Sequence, residues 1–557
     1  MRQIVEKSNG FVIIFDYNTR IIEDVRCIPG REYNHNEKHW FIPKRSEKYL
    51  NTLRKYGFTI KGGDVPEAFR NFNYKIDEMP ELSVNIPLKM DLFPFQRKGV
   101  QYILDKKKLI VGDTMGLGKT IQAIAAVVAA NAFPCLVICP SSLKINWQRE
   151  IEMWTTKKAM ILSDSTKRTF PYFYESGLIQ FFIVNYESLK KYFVERINRR
   201  IGTDGKELPI TLKDIVFSNK INIFKSVIAD ESHRVKDLKT QQSKFTRGIC
   251  RGKEYLLLLT GTPVVNKPKD LISQLGILDR LNEFGGYKNF IQWFCEADNR
   301  WRELNVMLRN KCFYRREKSE VLKDLPSKMR QAVICDITTE KEYGDAMNDL
   351  QNYLKQYKQA TDEQIQRSMR GEIMVRIGIL KNISAQGKID DVVDYVNDVV
   401  DSGEKIVLFT HLREVQEKLK KHFPAAVTIF GSDDSATRQR NIDTFQNDRN
   451  TQIIICSIKA AGVGITLTAS SRVAFVELPW HPADCEQCED RTHRIGQTNS
   501  VQCTYFLGRD TIDEWIYRLI NEKRDMSNQI TGARNDVEEK ILDGLIEVLT
   551  RKNQTTK

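Results

Sequence analysis

Short apolar runs alternate with amphipathic stretches over a long part of this chain, from about residue 92 to residue 280. Apolar runs of this length, bounded by polar segments, are typical of strands that are buried on both faces. Strands that are separated by helices predict a parallel sheet with right-handed crossover connections. The runs span residues 109–111, 135–139, 181–184, 227–229 and 256–259.

The alternation stops and then resumes further along the chain. Residues 282–382 are rich in charge and favour helices. The strand pattern returns at residues 406–409, 427–430, 453–456 and 473–476. The sequence therefore predicts an α/β fold with two parallel-sheet lobes and helical insertions between them.

A small unit precedes the first lobe. Residues 11–15 and 38–43 are predicted strands, residues 16–18 are a predicted turn, and residues 46–56 are a helix-like stretch. Residues 1–60 are therefore expected to form a small α+β module. A polar connector over residues 61–81 links this module to the first lobe.

Charge and cysteine usage narrow the class of protein. The 557 residues carry a formal net charge of +14, which favours a polyanionic partner because clustered Lys and Arg release counterions from phosphates. The eleven cysteines are scattered, and Cys485 and Cys488 lack a second pair that would complete a zinc site. No segment approaches the ~18 apolar residues of a membrane span. We therefore expect reduced thiols and an intracellular, cytoplasmic protein that is neither secreted nor membrane-bound.

A glycine-containing loop follows the first predicted strand and leads into a predicted helix. Its backbone N–H groups can approach phosphate oxygens, and the helix N-terminus favours their negative charge. Lys119 can reach the β- and γ-phosphates of a nucleotide, and Thr120 offers a hydroxyl to Mg²⁺. Asp113 stands where the strict phosphate-loop pattern has its first glycine. The predicted nucleotide-binding residues of this loop are Met115, Gly116, Leu117, Gly118, Lys119 and Thr120.

Two adjacent carboxylates follow the predicted strand that ends at Ala229. At the carboxyl end of a sheet strand, Asp230 can hold Mg²⁺, and Glu231 can orient or deprotonate an attacking water. An acidic pair after a strand can also be a helix cap, but the phosphate loop upstream favours catalysis. Gln96 is predicted to read an adenine edge with its amide, and a surface glutamine is the alternative.

Arg491 and Arg494 are three residues apart near the end of the chain, so a helix would place them on one face. Together with Gln487, they are predicted to act in catalysis, the two arginines as fingers on the phosphates. A finger contributes on the order of 10³–10⁵ in rate, or about 4–7 kcal/mol of barrier. A solvated helix face is the alternative interpretation of such a pair.

In this order, these segments resemble the motifs of helicase superfamily two. The run at residues 230–233, the run at residues 494–497 and the helical insertions resemble its Swi/Snf branch, from about residue 92 to residue 526. Residues 28–33 with residues 38–43 resemble the HARP module of annealing helicases. Further segments that carry the Swi/Snf resemblance are residues 139–147, 314–318, 431–432 with 438–439, and 457–468.

The resemblance implies two RecA-like lobes that bind ATP and Mg²⁺ in the cleft between them. It also implies a nucleic-acid track along both lobes, formed by Lys144, Asn185, Thr410, His411, Ser457, Lys459 and Trp480. Without the resemblance, Trp147 and Trp480 are predicted core aromatics. The expected bounds are 1–60 for the HARP-like module, 61–85 for a linker, 86–281 for the first lobe, 282–385 for the helical insertion and linker, 386–533 for the second lobe and 534–557 for a C-terminal helix.

Members of this family usually follow the phosphates of duplex DNA without separating the strands, which implies binding that is not sequence-specific. The expected function is an ATP-dependent translocase on duplex or branched DNA that anneals strands or remodels forks in DNA repair or replication, acting as a monomer. A strand-separating DNA or RNA helicase would share the cleft and stays an alternative. An ATP-gated DNA clamp or scaffold is a second alternative.

Overall fold

The computed structural model describes residues 2–527 except residues 8, 17, 35–38, 62–68, 70–71, 203–206, 262–267, 296–299, 360–362, 462–463 and 481. The C-terminal helix predicted for residues 534–557 lies outside these described residues. Within the same part of the chain, no helix is long and apolar enough to cross a membrane.

The N-terminal module is a sheet covered by helical turns. Its buried core includes Phe11, Ile13 and Ile42 from the strands and Ile21 and Val25 from the helix. The helix-like stretch predicted at residues 46–56 is a 3₁₀-helix, and one α-helix was not anticipated. In chain order the elements are β1 (Arg2–Lys7), β2 (Gly10–Phe15), α1 (Thr19–Arg26), β3 (Glu32–Asn34), β4 (His39–Pro43), the 3₁₀-helix Lys44–Tyr56 and β5 (Thr59–Lys61), with the strands side by side in the order β3-β4-β2-β1-β5.

The first lobe contains a parallel sheet built from the five predicted strands and from two short strands, residues 159–161 and 313–314, that the pattern did not predict. Its strands are β6 (Lys108–Val111), β7 (Cys135–Cys139), β8 (Ala159–Ile161), β9 (Phe181–Asn185), β12 (Ser226–Ala229), β13 (Tyr255–Leu259) and β14 (Phe313–Tyr314), and a separate antiparallel pair is formed by β10 (Val194–Ile197) and β11 (Ile215–Phe217). The helices are α2 (Pro94–Lys106), α3 (Lys119–Ala129), α4 (Lys144–Trp154), α5 (Phe170–Glu175), α6 (Leu189–Phe193), α7 (Gln241–Cys250), α8 (Pro268–Ile277), α9 (Gly286–Phe294) and α10 (Trp301–Lys311).

The strand order in this sheet is β14-β6-β13-β12-β7-β9-β8, and all of its neighbouring strands are parallel. Residues of β6, β7, β9 and β13 are almost completely buried, as continuous apolar runs require. Because the strands are parallel, the segments that follow β6 and β12 leave the sheet at the same edge. This arrangement brings the phosphate loop and the acidic pair to one side of the lobe.

The second lobe contains another parallel sheet, with strand order β15-β20-β19-β16-β18-β17 in the described residues. Its elements are α11 (Lys318–Val321), β15 (Lys328–Cys335), α12 (Glu340–Gln359), α13 (Glu363–Gly387), α14 (Ile389–Asp401), β16 (Ile406–Thr410), α15 (Arg413–His422), β17 (Val427–Ile429), α16 (Ser435–Asn447), β18 (Ile453–Ser457), α17 (Ile458–Ala461), β19 (Arg472–Phe475), α18 (Pro482–Glu489), β20 (Val501–Gly508) and α19 (Ile512–Ser527).

Two strands lie in the region that was expected to be helical. The two-residue strand β14 extends the first sheet beside β6, and β15 pairs with β20 over its whole length. Strand β15 is at the edge of its sheet and most of its side chains are at least partly exposed, so its sequence lacks a continuous apolar run. The hydrophobic pattern therefore could not indicate this strand.

Candidate functional site

The phosphate loop, residues 112–118, connects β6 to the N-terminus of α3. Lys119 is the first residue of α3, and its Nζ donates to the backbone oxygen of Asp113 at 2.8 Å. Burial lowers the pKa of Lys119, while the charges of Glu231 and Asp230 favour its protonated form. The ammonium therefore lies on the loop and close to both candidate catalytic carboxylates, where nucleotide phosphates could replace its backbone partner.

Asp230 follows β12 and is held from two sides. Its Oδ2 accepts a 2.9 Å hydrogen bond from Nε1 of Trp147, and its Oδ1 accepts one from the backbone N–H of Glu231. Burial raises the pKa of Asp230 to about 6, and the charge of Glu231 acts in the same direction. Trp147 is buried, as predicted for a core aromatic, but it also orients this carboxylate, which the sequence pattern did not indicate.

Glu231 adopts a left-handed backbone conformation, with φ of +51°. Residues other than glycine rarely have this conformation, and it is often found at functional sites. Oε2 of Glu231 is buried without a hydrogen bond in the described residues, and Nδ1 of His233 lies 3.3 Å away. Burial opposes ionisation, but His233, Lys119 and Arg491 together lower the pKa of the Glu231 carboxyl. The ionised Oε2 could therefore accept a proton or orient a water molecule.

These residues fit a Mg²⁺ ion bound together with phosphates. Mg²⁺ in such sites usually takes only one or two carboxylates and fills its other positions with phosphate oxygens and water. Asp230 supplies a buried carboxylate, and Thr120 supplies a hydroxyl at the start of α3. No group of three or more His, Cys, Asp or Glu side chains in the described part of the chain could hold a metal ion by itself.

The arginine loop, residues 490–497, begins after α18 ends at Glu489. Arg491 and Arg494 therefore lie beyond the end of the helix, in a turn and a bend rather than on the helix face that their spacing would suit. Gln497 is buried, and its Nε2 donates to the backbone oxygens of Ser470 and Thr492 at 2.8 and 3.2 Å. These bonds add to the short-range backbone bonds that follow α18, in which the N–H groups of Arg491 and His493 donate to Cys488 and Glu489 at 3.0 and 3.1 Å.

The two arginines of this loop lie against the phosphate loop. Nη2 of Arg491 contacts Sδ of Met115 at 3.9 Å, and the charge of Glu231 favours protonated Arg491. A Cβ built on Gly116 would come within 2.9 Å of the Cβ of Arg494. Nη1 of Arg494 donates to the backbone oxygen of Ile465 at 3.1 Å. The structure thus brings the two sequence motifs into contact across the lobes.

The remaining predicted cleft residues have different surroundings. Gln96 is 2 % exposed, its Oε1 accepts from the backbone N–H of Phe93, and its Nε2 donates to the backbone oxygen of Leu117. Its amide is therefore engaged with the start of α2 and with the phosphate loop, and it is not a surface glutamine. Gln487 is partly buried in α18, shortly before the arginine loop.

Asp113 has a structural role that the sequence did not reveal. This buried carboxylate pairs with Arg316, whose Nε and Nη2 donate to its two oxygens at 3.0 and 2.5 Å. Such paired N–H donors give a strong and directional contact. The acidic residue at the position of the usual glycine therefore anchors the phosphate loop to a segment about 200 residues further along the chain.

The residues of the predicted nucleic-acid track lie at or near the carboxyl ends of strands. Asn185 ends β9, Thr410 ends β16 and Ser457 ends β18. The Thr410 side chain is buried, and its hydroxyl donates to Glu477 at 3.1 Å, so it offers no surface for a DNA contact in this arrangement. The other predicted track residues are Lys144 at the start of α4, partly buried His411 and Trp480, and exposed Lys459.

Comparison with known proteins agrees with the fold and the motifs. A family model described as the SNF2-related domain matches residues 81–387, and one described as the helicase conserved C-terminal domain matches residues 387–496. The SWI/SNF-related matrix-associated actin-dependent regulator of chromatin subfamily A-like protein 1 of Xenopus tropicalis is 30 % identical to this chain, covering 94 % of this chain and 55 % of that protein. The homologue of this regulator in Caenorhabditis elegans is 26 % identical, covering 93 % of this chain and 74 % of its own length.

A third relative, the human DNA annealing helicase and endonuclease ZRANB3, is 31 % identical over 81 % of this chain and 41 % of its own length. The chain thus spans about half the length of the Xenopus relative and less than half of the human one. The SNF2-related match alone covers more than half of the chain, and the helicase C-terminal match continues from its last residue. The chain therefore belongs to the SNF2-related family.

Proposed function

We propose that this chain is an ATP-dependent DNA translocase that acts on duplex or branched DNA. The observation that carries the proposal is the contact between the phosphate loop and the arginine loop, through Met115 with Arg491 and Gly116 with Arg494. A nucleotide bound on the phosphate loop would therefore contact both lobes. Closure of the lobes would complete the site, and hydrolysis would release it.

The residues of the cleft have separate roles in this proposal. The N–H groups of the phosphate loop and Lys119 hold the phosphates. Gln96 stabilises the phosphate loop through the bond from its Nε2 to the backbone oxygen of Leu117. Glu231 orients the attacking water and accepts its proton, since its carboxyl is ionised and has a buried oxygen without a hydrogen bond. Arg491 and Arg494 stabilise the charge that develops on the transferred phosphoryl group.

Asp230 and Thr120 would hold Mg²⁺ beside the phosphates. The ion supplies neutralisation of negative charge on the phosphate oxygens when it is bound. Trp147 keeps the Asp230 carboxylate in one orientation through the Nε1 bond, and Tyr186 donates to the backbone oxygen of Asp230 at 2.8 Å. These two bonds fix the side chain and the backbone of the same residue.

Strand annealing or fork remodelling is the DNA task that we infer. One relative is named a DNA annealing helicase, which supports this task. The net charge of +14 favours binding to the phosphates of DNA. The N-terminal module, whose sequence resembles HARP, would contribute to the choice of branched DNA. Because each lobe would hold the DNA backbone, opening and closing would move one lobe along the duplex relative to the other.

The test compares ATP hydrolysis with single-stranded, duplex and forked DNA, and follows annealing and unwinding of a labelled fork. We expect duplex and forked DNA to stimulate hydrolysis, strands to anneal, and the stimulation to fade as salt rises, because phosphate contacts carry the affinity. Stimulation by RNA alone or net unwinding of the fork would favour a strand-separating helicase. ATP binding without hydrolysis would favour a clamp or scaffold.

A further inference from the structure

A short segment between the lobes contacts both loops of the proposed ATP site. This bridge segment, residues 314–318, continues from β14, which pairs with β6 just before the phosphate loop. The backbone N–H groups of Gly112 and Thr114 donate to the backbone oxygens of Tyr314 and Arg316, at 2.8 and 3.1 Å. The bridge segment therefore runs alongside the phosphate loop and extends the pairing of the two strands.

Arg316 anchors the bridge segment firmly. Besides its two bonds to Asp113, its guanidinium donates to Oε1 of Gln122 at 2.7 Å and to the backbone oxygen of Phe95. The Arg316 side chain is 11 % exposed and that of Asp113 is completely buried. Breaking one partner of a buried ion pair is strongly destabilising. The position of the bridge segment is therefore tied to that of the phosphate loop.

Lys318, two residues after Arg316, extends from this anchor to the arginine loop. Its Nζ donates to the backbone oxygen of His493 at 2.6 Å and lies 2.9 Å from Oδ1 of Asp490. Its Cε would be 3.3 Å from a Cβ built on Gly116. The Lys318 side chain thus contacts the phosphate loop along its stem and the arginine loop with its charge.

The charge of Lys318 is only partly compensated. Asp490 is also 3.1 Å from Nζ of Lys328, which has a second carboxylate partner in Glu489 at 2.8 Å. Burial lowers the pKa of Lys318 to about 8 despite Asp490, and the charges of Lys328 and Arg494 act in the same direction as burial. The side chain is therefore protonated at neutral pH and loses its proton in a mildly alkaline solution.

We propose that Lys318 is a positioning residue for ATP hydrolysis, which holds the arginine loop against the phosphate loop through His493 and Asp490. The proposal rests on the proposed function and gives Lys318 no contact with ATP. Without this charge, Arg316 and Lys119 still hold the phosphate loop in place. The arginine loop, in contrast, loses the bond to His493 and one of the two lysine partners of Asp490, so we expect the fingers to be displaced. A lower kcat with unchanged ATP affinity is the expected consequence.

The test uses Lys318→Met, which removes the charge and retains most of the stem, beside the matched control Lys323→Met. Lys323 is exposed on the same connection. With saturating duplex DNA, we expect kcat of Lys318→Met to fall on the order of 10- to 100-fold, as for a displaced catalytic group. The affinity for a fluorescent ATP analogue should stay within about twofold. Lys323→Met should match the parent in both measurements.

A pH series separates positioning from a general loss of structure. Lys318 deprotonates near pH 8 and then no longer attracts Asp490, so parent kcat should fall as pH rises from about 7 to about 9.5. Lys318→Arg stays charged over this range, so any alkaline fall in its kcat should be weaker than that of the parent, whatever its value at neutral pH. This profile decides the question if the Met variant does not fold.

Two results would overturn the proposal. One is parent-like kcat in Lys318→Met, and the other is an alkaline fall in Lys318→Arg that matches the parent. The parent and Lys119→Ala are measured in the same series. If Lys119→Ala hydrolyses ATP like the parent, the cleft assignment itself fails. If Lys119→Ala is inactive and Lys318→Met is fully active, only the role of Lys318 fails.

Discussion

Gly464 in the second lobe lies directly against Leu143 in the first lobe. A Cβ built on Gly464 would overlap the Cδ2 methyl of Leu143, and Gly464 has φ of +66°, which favours glycine. Leu143 immediately precedes α4, and Gly464 follows α17. The two lobes therefore meet at a position where no larger residue fits without movement.

Gly464→Ala should hold the lobes apart and lower DNA-stimulated hydrolysis. The backbone strain costs roughly 1–2 kcal/mol, and overlap with Leu143 opposes closure. Gly403→Ala is the matched control, because Gly403 has φ of +79° but open space around it. Small-angle scattering should show a larger radius of gyration only for Gly464→Ala, and Leu143→Ala should partly restore its rate. Equal behaviour of the two glycine variants would show that the interlobe contact has no effect.

Lys119→Ala should abolish ATP hydrolysis and leave DNA binding largely intact. Its ammonium lies on the phosphate loop and is predicted to hold the phosphates, and no DNA contact is assigned to it. Glu231→Gln should bind ATP without turning it over, since the amide cannot accept the proton of the water. Lys98→Ala, which removes an exposed lysine paired with Glu81, serves as the control in the ATPase assay. Near-parent hydrolysis by either cleft variant would contradict the assignment.

Arg491→Ala and Arg494→Ala should each lower kcat by about 10³-fold or more with little change in nucleotide affinity. A finger stabilises charge that appears mainly in the transition state, so its removal should lower kcat and leave the affinity for ATP nearly unchanged. Arg413→Ala provides the control, because the Arg413 side chain is 89 % exposed. Steady-state kinetics with a separate ATP-binding measurement distinguish the two effects. A loss of ATP affinity without a loss of rate would exclude the finger role.

Trp147→Phe should raise the Mg²⁺ concentration that hydrolysis requires. Phenylalanine retains most of the ring in the core but removes the Nε1 donor to Asp230, and a hydrogen bond to a charged group contributes about 1.5–3 kcal/mol. Trp154→Phe on the same helix is a matched control, since it loses a comparable bond to Glu150. Mn²⁺ binding and thermal melting should be recorded with the rates. If the Mg²⁺ requirement does not change, Trp147 has only a packing role in the core and does not affect metal binding through Asp230.

Deleting residues 1–61 should spare basal ATP hydrolysis and impair annealing and the preference for forked DNA. Arg31→Glu should reproduce part of this loss, because Arg31 is exposed. Reversal at Lys44 is less specific, since Lys44 already pairs with Glu6 and lies near Glu47. Trp40 is only half-buried, so Trp40→Ala should cost less than the ~3–5 kcal/mol of a fully buried ring. Full fork annealing by the truncated chain would contradict a role for the module.

Sequence patterns alone predicted most of the buried strands and the local chemistry of the site. Buried strands such as β6 and β12 show as apolar runs. Functional groups after a strand, such as Lys119 at the start of α3 and Glu231 after β12, can be placed from the order of elements alone. These features depend on neighbours within a few residues. The same local information could not decide whether Arg491 and Arg494 lie on a helix, because their spacing of three suits a helix whether or not one forms.

The distant residues that support the site were identified from the three-dimensional fold. The bonds of Trp147 to Asp230, Arg316 to Asp113 and Lys318 to His493 join segments 83 to 203 residues apart. The hydrophobic periodicity of the sequence does not indicate such pairs, because each partner by itself is an ordinary buried aromatic or charged residue. Strand β15 was missed for a related reason, since an edge strand is recognised by its pairing with β20 rather than by its own apolar pattern. Burial and pairing across the fold, which no local pattern encodes, therefore gave these residues their roles.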